Sequence, residues 1–298
     1  MRRCGFTLLE LIFVIVVMGI LAKFGVEFLN QAYRGFIASS INNTLQAQSA
    51  AAVESVASRL QYRIKDSVIG RKSSDASFLP IGSASGSEYN ILEWVATDIE
   101  NLRGNSLPNW SGIIDLYHPS STSNILVSPG TDTTAINTMI QVLSHNSGTT
   151  INNAALYFIG SDSDIVSGYG WDGNLTTINT QNGAMHPINS VGGQPTQFTP
   201  AVGNFTGVDV FEYYQLAWTA YAVGISDYNA GTATGTLMLY YDYQPWEGES
   251  YTNGKSEILM ENVSTFQFKS IGSIVKIQVC VNSDVVEDYS LCKEKTIY

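Results

Sequence analysis

The chain has 298 residues, enough for one large or two ordinary domains. Only 14% of them are charged, against roughly 25% in a typical soluble protein, and Gly numbers 26, which suits a strand-and-loop domain with a weakly charged surface. The formal net charge of −11 repels a phosphate backbone and argues against nucleic-acid binding as the main role.

The N-terminus is the most informative stretch. From Leu11 to Ala22 every residue is apolar or Gly, and Phe6–Leu29 carries only Glu10, Lys23 and Glu27 as charges. An α-helix crosses a bilayer with about 20 mostly apolar residues, so this segment is long enough. Arg2 and Arg3 precede it and hold that end in the cytoplasm, which sends the rest of the chain across the membrane. An ordinary secretory signal would show a small-residue cleavage site after its apolar core. Here the apolar run continues into a long helical pattern instead. A plain signal anchor explains length and orientation but leaves Glu10 unexplained. A carboxylate at mid-bilayer costs on the order of 2.5–3.5 kcal/mol, less near the interface, so such a residue suggests a function.

The order Gly5-Phe6-Thr7-Leu8-Leu9-Glu10, preceded by a basic leader and followed by an apolar run, resembles the type IV prepilin N-terminal motif. Type IV pilins, minor pilins and the pseudopilins of type II secretion share it. The resemblance implies cleavage between Gly5 and Phe6 by a prepilin peptidase, an aspartyl peptidase of the membrane, and methylation of the new Phe6 amine. It implies that Glu10 neutralises the N-terminal charge of a neighbouring subunit in a fibre. Implied partners are that peptidase, other pilin or pseudopilin subunits and an inner-membrane assembly platform. The implied location is a single pass through the bacterial inner membrane with a periplasmic C-terminal domain, then the fibre. Charge pairing makes physical sense, because a carboxylate and an ammonium in hydrocarbon each lower the other's cost. One departure is visible: many major pilins carry a helix-kinking Pro near the outer end of the apolar segment, where this chain has only Gly19 and Gly25.

Removal of a leader ending at Gly5 takes Cys4 with it and leaves Cys280 and Cys292. An even count suits an oxidising compartment, and a disulfide closing that short loop would contribute roughly 3 kcal/mol. Two reduced core thiols are the alternative. No Cys/His cluster suggests zinc, and His118, His145 and His186 are scattered through loop-like sequence.

Past Leu29, Ile37, Ile41, Leu45, Val53, Val56, Leu60, Ile64 and Val68 recur at helical spacings, with alanines between them. The first strong stop is Gly70. A single helix from Phe6 to about Ile69 would be about 95 Å long. Ser39–Asn43 is poor helix sequence, and a helical hairpin broken there is the alternative. The organisation reads as a leader at 1–5, a membrane and assembly helix at 6–29, an amphipathic helix at 30–70 and a β-rich domain at 71–298.

In the β-rich part, Glu88–Leu102 fits a helix or a strand and turn, Gly112–Tyr117 a strand, and Ala154–Gly160 a buried strand. Tyr213–Gly224 and Gly235–Tyr243 alternate as paired strands do, and Thr265–Phe268 with Ile274–Val281 form a terminal pair around Gly272-Ser273. Ser120–Thr150 and Gly173–Gly203 read as surface excursions, the second an extended loop. The expected fold is α+β and pilin-like: a long N-terminal helix whose second half packs on one antiparallel sheet of about five to seven strands. Long helix, variable middle and late cysteine pair resemble large minor pilins and pseudopilins, with the J-type pseudopilin as the nearest analogy.

Candidate sites are few. Asp162, Asp164 and Asp172 offer hard oxygen ligands to calcium, but the spacing departs from an EF-hand and Asx turns explain the residues as well. Otherwise no cofactor is expected. Tyr240, Tyr241, Tyr243 and Trp246, interleaved with Asp242, Glu247 and Glu249, form either a recognition patch or, more in keeping with a strand, a packed face. Trp246, after Pro245, is the one expected at the surface. No GxSxG, HExxH or P-loop is present, and nothing beyond residue type links Ser144, His145 and Asp75 as a triad, so no enzyme is expected. Two functions remain: a fibre subunit that initiates or caps assembly, or a pilus-borne adhesin.

Overall fold

The computed structural model describes residues 7–84, 87–161, 164–176, 183–283 and 289–298. Helix α1 spans Leu8–Leu60 without a break, so the Ser39–Asn43 hairpin does not form. It stops at Leu60, short of the expected Ile69. The reason lies outside the helix: the Ile64 N–H donates to the Val95 carbonyl at 2.9 Å, and Arg63 bridges Ala96, drawing the chain into a sheet. Leu60, Ile64 and Val68 are all buried. Their spacing is helical, but only the first of them lies on the helix.

The chain then forms β1 (Ile69–Arg71), β2 (Phe78–Pro80), β3 (Ile91–Val95) and α2 (Ile99–Arg103). Next come β4 (Leu126–Val127), α3 (Thr133–Leu143), β5 (Ala155–Phe158), β6 (Met185–Val191) and β7 (Gln194–Pro200). The last strands are β8 (Tyr214–Ala217), β9 (Ala220–Asn229), β10 (Thr234–Tyr241), β11 (Lys255–Ile271), β12 (Ile274–Asn282) and β13 (Ser290–Ile297). The α+β reading holds, but two antiparallel sheets stand where one was expected. The first has eight strands in the order β13-β12-β11-β10-β9-β3-β1-β2, and the second has five, β4-β7-β6-β5-β8.

Three apolar cores separate four layers. Val53, Val56 and Leu60 of α1 pack on Leu92, Leu237, Val279 and their neighbours on one face of the first sheet. The other face meets the second sheet through Ile69, Ile91 and Ala222 against Tyr157 and Met185, with Trp246 from the turn after β10 in the same core. The second sheet's far face packs Leu156, Phe158 and Phe198 on Ile136 and Ile140 of α3.

The second sheet accounts for the expectations that fail. Ser120–Thr150 contains β4 and α3. Asp132 caps α3 by accepting from the Thr134 and Ala135 N–H groups at 3.0 and 3.1 Å, and Ile136 and Ile140 recur at helical spacing. Gly173–Gly203 contains the β6–β7 hairpin, whose polar strands His186 and Asn189 made look like loop. Tyr213–Gly224 is divided at Trp218-Thr219 between β8 of the second sheet and β9 of the first. Gly112–Tyr117 is not a strand; Ile113 makes an isolated bridge to Tyr213. Glu88–Leu102 holds both alternatives in turn, β3 and then most of α2.

Candidate functional site

The site with functional geometry is α1 itself. Its first half presents apolar side chains on every side: Leu8, Ile15, Leu21, Phe28 and Phe36 are all exposed. Among the described residues this is the one helix long and apolar enough to cross a membrane. A helix that is apolar all round needs lipid or neighbouring protein around it. The motif therefore sits on an element whose partner is supplied from outside the chain.

Glu10 lies at the third position of α1 and closes a capping box. Its Oε2 accepts from the Thr7 N–H and from the Thr7 hydroxyl, both at 3.0 Å, while Thr7 Oγ1 accepts from the Glu10 N–H at 3.4 Å. The Thr-x-x-Glu spacing is a known start signal for helices, and sequence reasoning passed over it because the same residues carry the prepilin motif. A carboxylate given two donors at a helix N-terminus is less costly in an apolar segment than a bare one. Gly5 and Phe6, the expected cleavage and methylation positions, lie outside the described residues.

The second half of α1 is fixed to the globular part. Ala52 and Ala57 are buried beside Val53, Val56 and Leu60, and their small side chains let the helix backbone come close to the sheet. At the sheet edge, Lys295 on β13 pairs with Glu54, and the Tyr289 hydroxyl donates to Asn42 Oδ1 at 2.7 Å. Cys280 and Cys292 are register partners on β12 and β13 and form a disulfide. That bond clips the terminal strand, part of the seat of α1, to its neighbour.

The other candidates are brought together less. Asp164 accepts from the Val166 N–H at 3.0 Å and the Ser167 hydroxyl at 2.8 Å, and these bonds hold its carboxyl below the usual range. Asp172 accepts from the Asn174 N–H at 3.1 Å and side-chain amide at 2.8 Å. Both form local Asx turns, while Asp162 lies outside the described residues. Among the described residues no three His, Cys, Asp or Glu side chains gather as metal ligands. Ser144 donates to the Gln141 carbonyl and Asp75 accepts from Ser77, so each serves its own turn.

Of the aromatic cluster, Tyr243 and Trp246 lie in the core between the two sheets with Tyr240 packed against it, while the Tyr241 hydroxyl donates to Glu257 at 3.1 Å; Trp246 is buried, contrary to expectation. Its Nε1–H donates to the Asn153 carbonyl at 2.9 Å, which satisfies the polar edge of an otherwise apolar side chain. Gly170, at φ +82, lets the neighbouring turn touch this one: a Cβ there would lie 2.0 Å from the Pro245 carbonyl oxygen. Tyr243 donates to Glu93 Oε2 at 3.2 Å, and Glu93 is paired with Arg71 inside the protein. Burial pushes the Glu93 carboxyl up, with Arg71 and Tyr243 opposing it. Asp242 accepts from the Ser147 and Thr149 hydroxyls, both at 2.7 Å, and so ties the loop after α3 to the end of β10. His186 is on β6 rather than in a loop; its ring is buried 5.1 Å from Phe158, and burial lowers its pKa to about 4. None of these contacts was legible in composition, because each joins residues far apart in the chain.

No curated protein and no solved structure matches the chain. Residues 1–22 match the family model of the prokaryotic N-terminal methylation motif. That motif is the type IV prepilin signature, and in this chain it leads an exposed apolar helix with Glu10 at its third position.

Proposed function

We propose that the chain is a minor pilin or pseudopilin: prepilin peptidase cleaves it between Gly5 and Phe6, and it enters a type IV pilus or type II secretion pseudopilus by its first helix, where it initiates or caps the fibre. The observation that carries this reading is the division of α1, with a half that is apolar all round and uncovered and a half seated on the chain's own sheet. The first half would lie in the inner membrane and then among the helices of neighbouring subunits. The globular part would be periplasmic, where the disulfide is stable. Its second sheet and α3 add two layers beyond the sheet that seats α1. That bulk suits a position made once per fibre better than one repeated along a shaft.

Two measurements test this. Glu10→Ala should be cleaved to mature size yet enter purified fibres at a level on the order of tenfold lower, since the pairing of one buried charge is lost. Wild-type incorporation would sink the assembly role of Glu10. Immunogold against the globular part should mark one end of each fibre, and labelling spread along the shaft would sink the initiating or capping role.

A further inference from the structure

The charge of the chain is sorted by region. Residues 104–254 contain no Lys or Arg and 11 of the chain's 26 Asp and Glu. The other 15 acidic residues balance all 15 Lys and Arg, so this one stretch carries the entire net charge of −11. It comprises the whole second sheet, α3 and strands β9 and β10. Such a surface repels nucleic acid, anionic lipid and acidic polysaccharide, and it attracts cationic groups.

On this anionic background lies an apolar row. Ile113 bridges Tyr213, and the Ile159 N–H donates to the Tyr213 carbonyl at 2.9 Å, continuing the register that sets Phe158 opposite Tyr214. Cross-strand partners share a face, and neighbours along a strand take opposite faces. Ile114, Phe158 and Tyr214 point inward and are buried, while Ile113, Tyr213 and Ile159 point outward and are 41%, 55% and 49% exposed. Asp115 and Glu212 lie next to the row in the chain, and Asp209 precedes it. An aromatic and two aliphatic side chains in line, with carboxylates close by in the chain and no cation anywhere in residues 104–254, match the apolar centre of a small protein interface on an anionic background.

We infer that the exposed row Ile113, Tyr213 and Ile159, at the end of the second sheet that the first sheet leaves uncovered, is a docking surface for a protein segment that alternates Lys or Arg with apolar side chains. The carboxylates steer the segment in and the row holds it. The surface is independent of α1, so it stands whether or not the chain initiates a fibre.

The test uses the full chain in detergent micelles and a short fluorescent peptide alternating Lys and Ile. Anisotropy should report binding that weakens with salt and is tighter than that of an all-Lys peptide of equal charge. Tyr213→Ser with Ile159→Ser should weaken it on the order of tenfold, as removal of interface anchors does. Val142→Ser, at an exposed position of α3, should leave it within about twofold. Glu212→Gln should slow association more than it speeds release. No binding, equal binding of the all-Lys peptide, or an unaffected double variant would each overturn the proposal. Should the double variant fail to fold, amide exchange of the wild-type chain decides: the peptide should slow exchange around residues 111–115 and 209–213, and unchanged exchange there overturns the proposal.

Discussion

From Leu8 to Phe36, α1 shows Leu, Ile, Val and Phe side chains on every side, all uncovered; from Leu45 to Leu60 a single stripe of Leu, Val and Ala faces the first sheet and is buried. The two halves belong to one unbroken helix, so the difference is one of surroundings and not of backbone. Burial of a large apolar side chain stabilises by roughly 1.5–3 kcal/mol. The second half gains this from the chain's own sheet. The first half can gain it only from lipid or from other subunits, which makes assembly its remaining source of stabilisation. A capping box at Thr7 and Glu10 starts the exposed half, and entry of the chain into the sheet at Arg63 and Ile64 ends the packed half.

The largest expected effect sets the halves directly against each other. Leu60→Ala should lower the stability of the globular part by about 2–5 kcal/mol, because it opens a cavity between α1 and the sheet. Ile15→Ala, in the exposed half, should leave the detergent-solubilised melt within about 0.5 kcal/mol. Equal effects on the melting temperature would mean that the division does not exist.

The disulfide sharpens the comparison from the sheet side. Its half-cystines are 12 residues apart, so replacing both Cys280 and Cys292 by Ser should cost about 3 kcal/mol. Amide exchange should quicken along β13 and residues 45–60 of α1, and stay unchanged along the exposed half. Faster exchange confined to β13 would show that this strand does not support the helix.

An effect that is smaller within any one pH unit arises at the end of the packed half. Asp98 follows Thr97, whose N–H donates to the Tyr62 carbonyl at 2.9 Å just beyond α1. Burial pushes the Asp98 carboxyl up from 3.8 to about 7, opposed by the Asn101 N–H and side-chain amide. Between those values the folded chain holds a proton that the unfolded chain releases, so this group's contribution to stability falls as pH rises toward 7. His186 acts in the opposite sense: its folded pKa is lowered from 6.5 to about 4, so its contribution is lost as pH falls through that window. Asp98→Asn should therefore gain on the wild type by about 1 kcal/mol per pH unit as pH rises through the Asp98 window. A difference in denaturant midpoint that does not change with pH would show that the folded chain carries Asp98 ionised.

The sequence by itself determined the N-terminal methylation motif, the apolar span, the helix that follows it, the α+β class and the cysteine pair. These are signals of short range: a basic end, a run of apolar residues, a carboxylate at a fixed offset, a helical period and two half-cystines a short loop apart. The Thr7 and Asp132 caps were equally legible and were passed over, the first behind the prepilin motif and the second within a Ser/Thr/Asn-rich stretch. Only the tertiary structure decided where α1 ends, that Trp246 lies inside, that Glu93 meets Arg71 and Tyr243, and that a second sheet exists at all. The physical reason is separation along the chain. Strands such as β5 and β8 bury their faces only against partners many residues away, and no local period records which partner that is. The same pairing that buries Phe158 and Tyr214 leaves Ile159 and Tyr213 facing outward beside Ile113, and that outward row exists only once the second sheet has formed.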